Sequence, residues 1–94
     1  MTDEAQRVTA RITGVVQGVG FRYWTARKAD ELTLKGTVRN SPDGSVELVA
    51  EGTGADVEHL MKWLRSSRAP GRVADVDFQL CEATGEFEDF RIEG

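Results

Sequence analysis

Apolar residues recur with two different spacings along the chain, and the two spacings predict strands and helices. Residues 7–14 alternate between apolar and polar types, which is typical of a strand with one buried face. Residues 21–32 and 53–67 instead repeat apolar or small residues at steps of three and four, which predicts two amphipathic helices. The two stripes are Phe21, Thr25, Ala29 and Leu32 in the first helix and Val57, Leu60, Met61 and Leu64 in the second.

Four more strand-like runs complete the pattern. Residues 34–40 and 45–52 flank Ser-Pro-Asp-Gly at positions 41–44, a composition that predicts a hairpin turn. Alternation resumes from Ala74 to Leu80 and returns briefly at the C-terminal end. The order βαββαβ with a short strand appended predicts an α+β fold of the ferredoxin-like kind. Such a fold is an α/β sandwich in which two helices cover one face of a mainly antiparallel sheet.

Length and composition are those of one ordinary globular domain. The chain has 94 residues, of which 39% are hydrophobic and 30% are charged. We expect residues 1–6, which are polar and acidic, to form a flexible N-terminus, and residues 7–94 to form a single domain. The start lacks the features of a secretory signal, and no apolar run is long enough to span a membrane. We therefore expect a cytoplasmic protein.

The charge balance restricts the partners. The formal net charge is −4, which disfavours nonspecific binding to nucleic acid or to an anionic membrane surface. The single cysteine, Cys81, excludes an intramolecular disulfide and any site with several cysteine ligands. We expect no partner other than a small molecule, and a monomer is the default state. Because the net charge is negative, an anionic ligand would have to be bound by groups in its immediate surroundings.

The stretch "GVVQGVGFR", residues 14–22, is a candidate site for such capture. Its glycines permit backbone conformations with positive φ, which turn several N–H groups toward one point. The N-terminus of the following helix adds positive potential, and Arg22 adds a planar fork of donors. The residues by themselves allow two interpretations of this segment: a phosphate-binding loop, or a tight connection that binds nothing. The spacing is neither the dinucleotide fingerprint nor a P-loop.

A second segment, "LKGTVRNSPDGSVE" from Leu34 to Glu47, favours the interpretation as a phosphate-binding loop. Together the two segments resemble the two signature segments of the acylphosphatases, in spacing, in order and in chain length. The C-terminal "FEDFRIEG" is also similar to the family's ending. The resemblance covers residues 7–94 and implies hydrolysis of acyl phosphates, which are carboxylic-phosphoric mixed anhydrides, to a carboxylate and inorganic phosphate. It also implies that neither a metal nor an organic cofactor takes part.

The resemblance also implies roles for individual residues. The family's phosphate-binding arginine corresponds to Arg22, and its water-orienting asparagine corresponds to Asn40. The family's phosphate-binding loop, which acts through main-chain N–H groups, corresponds to Val15, Val16, Gln17, Gly18, Val19 and Gly20. For Gln17 we expect the N–H to matter more than the side chain. Because no matched His, Asp or Glu accompanies these residues, we expect the substrate's own phosphate to accept the proton of the attacking water.

Two positions depart from the family pattern. Thr33 stands where most members have glycine at the end of the first helix, and a β-branched residue is strained in a left-handed helix stop. Thr37 stands where tryptophan is common. Neither position is catalytic, so we expect any consequence to fall on packing and stability.

Several residues also have simpler interpretations. Asn40 by itself is typical of a residue entering a hairpin turn. Asp43 and Glu47 are best explained by turn chemistry and a solvated sheet face, and His59 by a solvated helix position. The aromatic residues Tyr23 and Trp24 suit helix packing or partial exposure. The arginines at 65, 68 and 72 suit the end of a helix.

Two other classes of function compete with the enzyme. One is a noncatalytic domain that keeps the loop to sense acyl phosphates or to dock a partner that uses carbamoyl phosphate. The other is a ferredoxin-like RNA-binding module, which the acidic charge and the lack of an aromatic RNA-binding pattern disfavour.

Overall fold

A computed structural model describes residues 4–66 and 68–93 of the chain. Its elements are β1 (Ala5–Val15), α1 (Phe21–Glu31), β2 (Lys35–Asn40), β3 (Val46–Thr53), α2 (Gly54–Leu64), β4 (Arg72–Glu82) and β5 (Phe90–Glu93). The strands form one sheet in the order β4-β1-β3-β2-β5. Neighbouring strands are antiparallel except β2 and β5, which are parallel. The predicted βαββαβ order with a short final strand is confirmed.

The core lies between the two helices and one face of the sheet. Alternate residues of β1 and β3 point into it, since Val8, Ile12 and Val46 are fully buried and their chain neighbours are more exposed. Both predicted helical stripes supply the other side. Their buried members are Phe21, Thr25 and Ala29 in α1 and Val57, Leu60, Met61 and Leu64 in α2.

Two element boundaries differ from the prediction. β1 already includes Ala5 and Gln6, which the sequence analysis places in a flexible N-terminus. Residues 1–3 lie outside the described residues. α2 ends at Leu64, short of the predicted residue 67, which also lies outside them. At its start, the Thr53 hydroxyl accepts from the Asp56 N–H at 3.1 Å, the hydrogen bond of a typical N-cap.

The alternation predicted for β4 is wrong at its first position. Thr13 lies opposite Asp75 and Gly14 lies opposite Val73, so Ala74 is an extra residue in a β-bulge. The bulge changes the phase of the strand, and Val73 is half-buried whereas Ala74 is exposed. A side chain at Gly14 would collide with the backbone of β4, so glycine is required where β1 leads into the following loop.

The other face of the sheet is polar. Glu47 pairs with Arg39 on the neighbouring strand, and Asp43 in the turn pairs with Arg11. This confirms that Asp43 and Glu47 serve the turn and the solvated sheet. Thr37 lies half-buried on β2, with Val49 as its partner across the strands.

Thr33 adopts the strained conformation that the sequence predicts. Its φ is 58°, in the left-handed region, and it is the one residue other than glycine with positive φ among the described residues. The Leu34 N–H donates to the Ala29 carbonyl at 2.8 Å, and the Thr33 N–H donates to the Asp30 carbonyl at 3.0 Å. These two bonds form a Schellman motif, whose left-handed position favours glycine.

Replacement of this threonine tests the strain. We expect Thr33→Gly to raise the free energy of unfolding by about 1 kcal/mol, because a left-handed β-branched residue costs about 1–3 kcal/mol and the greater freedom of unfolded glycine offsets part of the gain. Urea titration would measure the change. Thr33→Ala is the control, since it keeps the Cβ atom and should gain much less. Equal stability of the Gly and Ala variants would contradict strain at this residue.

Glu51 fixes the connection that leads to β5. Its carboxylate is 6% exposed and accepts from the Thr84 N–H and the Gly85 N–H, both at 2.9 Å. It also accepts from the Thr84 hydroxyl at 2.9 Å and from Arg7 at 3.1 Å. Burial, the largest single influence, acts to raise the pKa of Glu51, but the hydrogen bonds together hold that pKa below its ordinary value.

Acid should remove this stabilisation. Because the pKa of Glu51 is lower in the folded chain than its ordinary 4.5, ionised Glu51 stabilises the fold above that value and the stabilisation is lost as pH falls through the folded pKa. We expect Glu51→Gln to lower the free energy of unfolding by about 2 kcal/mol at neutral pH and by much less at about pH 3. Urea unfolding at both pH values would measure this. Exposed Glu58→Gln should change little, and a pH-independent loss in Glu51→Gln would contradict the role of the charge.

Candidate active site

The loop between β1 and α1 has the backbone that the glycines predict. Gly18 and Gly20 have φ values of 77° and 78°, both in the left-handed region. Gly20 is the N-cap of α1, and no described side chain accepts a hydrogen bond at this helix end. The first turn of α1 contains no acidic residue. The N–H groups and the positive end of the helix are therefore available to an anion.

Arg22 and Asn40 lie in one pocket. The pocket has a volume of about 170 Å³, and its lining residues are Val16, Gly18, Gly20, Phe21, Arg22, Tyr23, Asn40 and Ile92. Arg22 stands in the first turn of α1, whereas Asn40 is the last residue of β2. The fold thus brings the two predicted site residues, 18 positions apart in sequence, together with the loop glycines.

The guanidinium of Arg22 is oriented by the last strand. Its Nη1 donates to the backbone carbonyl of Glu93 at 3.4 Å, and the side chain is half-buried. Among the described residues, no carboxylate forms an ion pair with Arg22. Its charge is therefore held near the pocket without being neutralised.

The side-chain oxygen of Asn40 is an unpaired hydrogen-bond acceptor among the described residues. Its Oδ1 is buried and accepts no hydrogen bond from the described residues, a state it shares with the hydroxyl oxygen of Thr25 in α1. A buried oxygen without a partner costs free energy, so a donor that reached this atom would be bound favourably. Asn40, unlike Thr25, lines the pocket.

The side chain of Gln17 has a role that the sequence does not predict. Its Nε2 donates to the Ser41 carbonyl at 2.8 Å and to the Ser45 carbonyl at 2.9 Å. The Asp43 carboxylate in turn accepts from the Ser45 N–H at 2.9 Å. The two hydrogen bonds of Gln17 therefore connect the loop to the hairpin turn, which begins directly after Asn40. No local pattern in the sequence indicates a contact between these segments, although an amide among apolar loop residues is a weak signal that it needs partners.

Two further findings concern the described residues. Residues 4–66 and 68–93 contain no group of three His, Cys, Asp or Glu side chains placed to hold a metal ion. Neither helix in this part of the chain has the length and apolar character needed to cross a bilayer.

Fold and site together define a class of protein, a ferredoxin-like α+β domain in which a glycine-rich loop, an arginine and an asparagine line one pocket. The family model for acylphosphatase matches residues 8–92. An acylphosphatase from Paenarthrobacter aurescens (strain TC1) is 80% identical over 92 residues, which cover 98% of each chain. Another, from Thermobifida fusca (strain YX), is 47% identical over 93% of this chain and 96% of its own. The chain belongs to the acylphosphatase family, and it is an enzyme that hydrolyses acyl phosphates.

Solved structures agree with this assignment. The crystal structure of acylphosphatase from Bacillus subtilis superposes with a TM-score of 0.86 at 30% identity, covering 95% of this chain and 99% of that one. Full-length HypF, in its phosphate- and nucleotide-bound form, gives a TM-score of 0.83 at 26% identity. That match covers this whole chain but 12% of HypF, so the same fold also occurs inside a much larger protein.

Removal of the Gln17 amide tests its positioning role. We expect Gln17→Ala to lower kcat/KM for benzoyl phosphate about tenfold, because small displacements of binding groups cost catalysis strongly, and to lower the free energy of unfolding by about 1–2 kcal/mol. Steady-state hydrolysis and urea unfolding would measure the two effects. Gln79→Ala, an exposed amide on β4, is the matched control. Full activity in Gln17→Ala would show that the loop needs no anchor on the hairpin.

Proposed function

We propose that the enzyme acts by in-line attack of a water oriented by Asn40 on a phosphoryl group held by Arg22 and the main-chain N–H groups of residues 15–20. The observation that carries this proposal is the shared pocket: Arg22, Asn40 and the loop glycines line one small cavity. The family assignment supports the overall reaction, and this pocket supports the roles of the residues.

Charge stabilisation is the main task of the phosphate site. In phosphoryl transfer the negative charge spreads over the equatorial oxygens of a loose transition state. The N–H groups of the loop and the N-terminus of α1 would each donate to one of these oxygens. The planar guanidinium of Arg22 would bind two of them at once, which a lysine ammonium does not reproduce. An acyl phosphate already has a good leaving group, so this stabilisation supplies much of what the reaction needs.

Asn40 would place the attacking water. Its buried Oδ1 would accept one hydrogen of the water and so orient a lone pair toward phosphorus. As the new P–O bond forms, the bond from phosphorus to the acyl oxygen breaks, and its electron pair leaves with the carboxylate. None of the described residues lining the pocket is His, Asp or Glu. The water's proton therefore passes to a phosphate oxygen of the substrate, and the products are a carboxylate and inorganic phosphate.

The remaining expectations concern the setting of the enzyme. We propose that it works in the cytoplasm as a monomer, without a metal, an organic cofactor or a nucleic-acid partner. The net charge of −4 supports the last of these, since it disfavours association with nucleic acid.

Hydrolysis by three proteins tests the two assigned roles. With benzoyl phosphate in EDTA, we expect the unmodified enzyme to remove the anhydride well above the spontaneous rate. Arg22→Lys should raise KM and lower kcat, each about tenfold or more. The lysine lacks the paired donors that would bind the phosphoryl group both in the substrate complex and in the transition state. Asn40→Ala should lower kcat about a hundredfold with little change in KM, because the water is oriented only for the chemical step.

Two controls keep the test specific. Arg39→Lys changes an arginine on the polar sheet face in the same way and should leave both constants unchanged. Circular dichroism would verify that each variant folds. Unchanged turnover in folded Asn40→Ala would refute the water-orienting role, and an unchanged KM in Arg22→Lys would refute the phosphate contact.

A further inference from the structure

A second cavity lies beside the phosphate loop. It has a volume of about 420 Å³, in the range of sites for small ligands, and it shares no lining residue with the pocket of Arg22 and Asn40. One wall is α1, with Trp24. The other is the end of α2 and the segment that follows, with Trp63 and Pro70. We call this cavity the tryptophan groove.

Both walls of the groove adjoin the phosphate loop. The indole of Trp24 lies against Gly20, since a Cβ built there would be 3.6 Å from the indole Cδ1. On the other wall, Gly71 follows Pro70 and packs so closely on the loop that a side chain at Gly71 would collide with the Val15 carbonyl. The groove therefore lies directly beside the loop, next to Gly20 on one wall and Val15 on the other.

The groove concentrates positive charge in an acidic protein. Its lining includes Arg27, Lys28 and Arg68 but one carboxylate, Glu31, which Lys28 contacts at 3.5 Å. Among the described residues, neither Arg27 nor Arg68 forms an ion pair. Two cations are thus left without carboxylate partners, which suits an anionic ligand.

Arg27 is held in place by the aromatic rings beside it. Its guanidinium carbon lies 5.6 Å from the centre of the Trp24 ring and 6.0 Å from that of Tyr23. Its Nη1 also donates to the Tyr23 hydroxyl at 3.3 Å. Stacking of this kind fixes the cation without neutralising it.

The geometry of in-line displacement relates the acyl group of the substrate to the groove. Attacking and leaving oxygens of an in-line displacement lie on opposite sides of phosphorus. Arg22, which lines the pocket with Asn40, and Trp24, which lines the groove, are two residues apart, so they project about 200° apart around the helix axis. We place the acyl group, opposite the water, on the side of Trp24, because Gly20 lines the pocket and also lies against the Trp24 indole.

We propose that the tryptophan groove binds the acyl group of the substrate and favours acyl groups that carry a carboxylate at the far end, as in the monoacyl phosphates of dicarboxylic acids. This inference rests on the proposed function, because the direction of the acyl group follows from the roles of Arg22 and Asn40. Arg68 and Arg27 would contact the distal carboxylate, and the indole rings would pack on the carbon chain between its two ends.

Comparison of two substrates tests the groove. We expect kcat/KM for succinyl phosphate to exceed that for acetyl phosphate about tenfold. Arg68→Gln should lower this ratio about threefold, and the double variant Arg27→Gln with Arg68→Gln about tenfold, as expected for exposed charge pairs. Arg65→Gln, which removes the same charge from an arginine that instead faces Phe78, should leave the ratio unchanged. A ratio that is the same in all four proteins would overturn the proposal.

A binding measurement separates failure of the groove from failure of the proposed function. The chain has two tryptophans, and both line the groove, so intrinsic fluorescence reports on its occupancy. We expect succinate, but not acetate at equal ionic strength, to change this fluorescence, and Arg68→Gln to weaken the response. The response should persist in Arg22→Lys, whose hydrolysis tests the proposed function alone. No response to succinate in the unmodified protein, together with no substrate preference, would overturn the groove even if Arg22→Lys behaves as proposed.

Discussion

The site depends on one constraint, the reversal of the chain between β1 and α1. The backbone has to turn from strand to helix over residues 16–20, and Gly18 and Gly20 of this segment line the pocket of Arg22 and Asn40. Positive φ at Gly18 and Gly20 makes this possible, and Gly14 permits the close approach of β4 just before the turn. A larger residue at Gly14 would push β4 away, so the geometry of the loop and the packing of the sheet edge are linked.

This constraint explains how an acidic protein handles an anion. Main-chain N–H groups and a helix N-terminus carry partial positive charge whatever the net charge of the chain. Arg22 adds one full charge, and the Glu93 carbonyl orients it. None of the described residues that line the pocket is acidic. Glu51, the most buried acidic residue among those described, accepts from four donors. Three of them belong to the connection to β5, and β5 in turn carries the carbonyl that accepts from Arg22.

The coupling between loop and hairpin is the second requirement. Gln17 donates to two carbonyls of the turn, and Asn40 is the residue just before that turn. A displacement of the hairpin would therefore move the glycine-rich loop and Asn40 together. Such coupling keeps Asn40 at a fixed distance from the loop, which matters where catalysis depends on positioning.

Sequence alone determined the order of the elements and identified Arg22 and Asn40, which the fold brings into one pocket. Alternation and helical spacing each reflect burial on one face, and the strain at Thr33 follows from its place at a helix end. The tertiary structure decided what depends on pairing between distant segments. The bulge that exposes Ala74, the anchor formed by Gln17 and the groove between the two helices each require partners far away in sequence. A periodic pattern records which face of an element is buried, but it does not record which distant residue packs against that face.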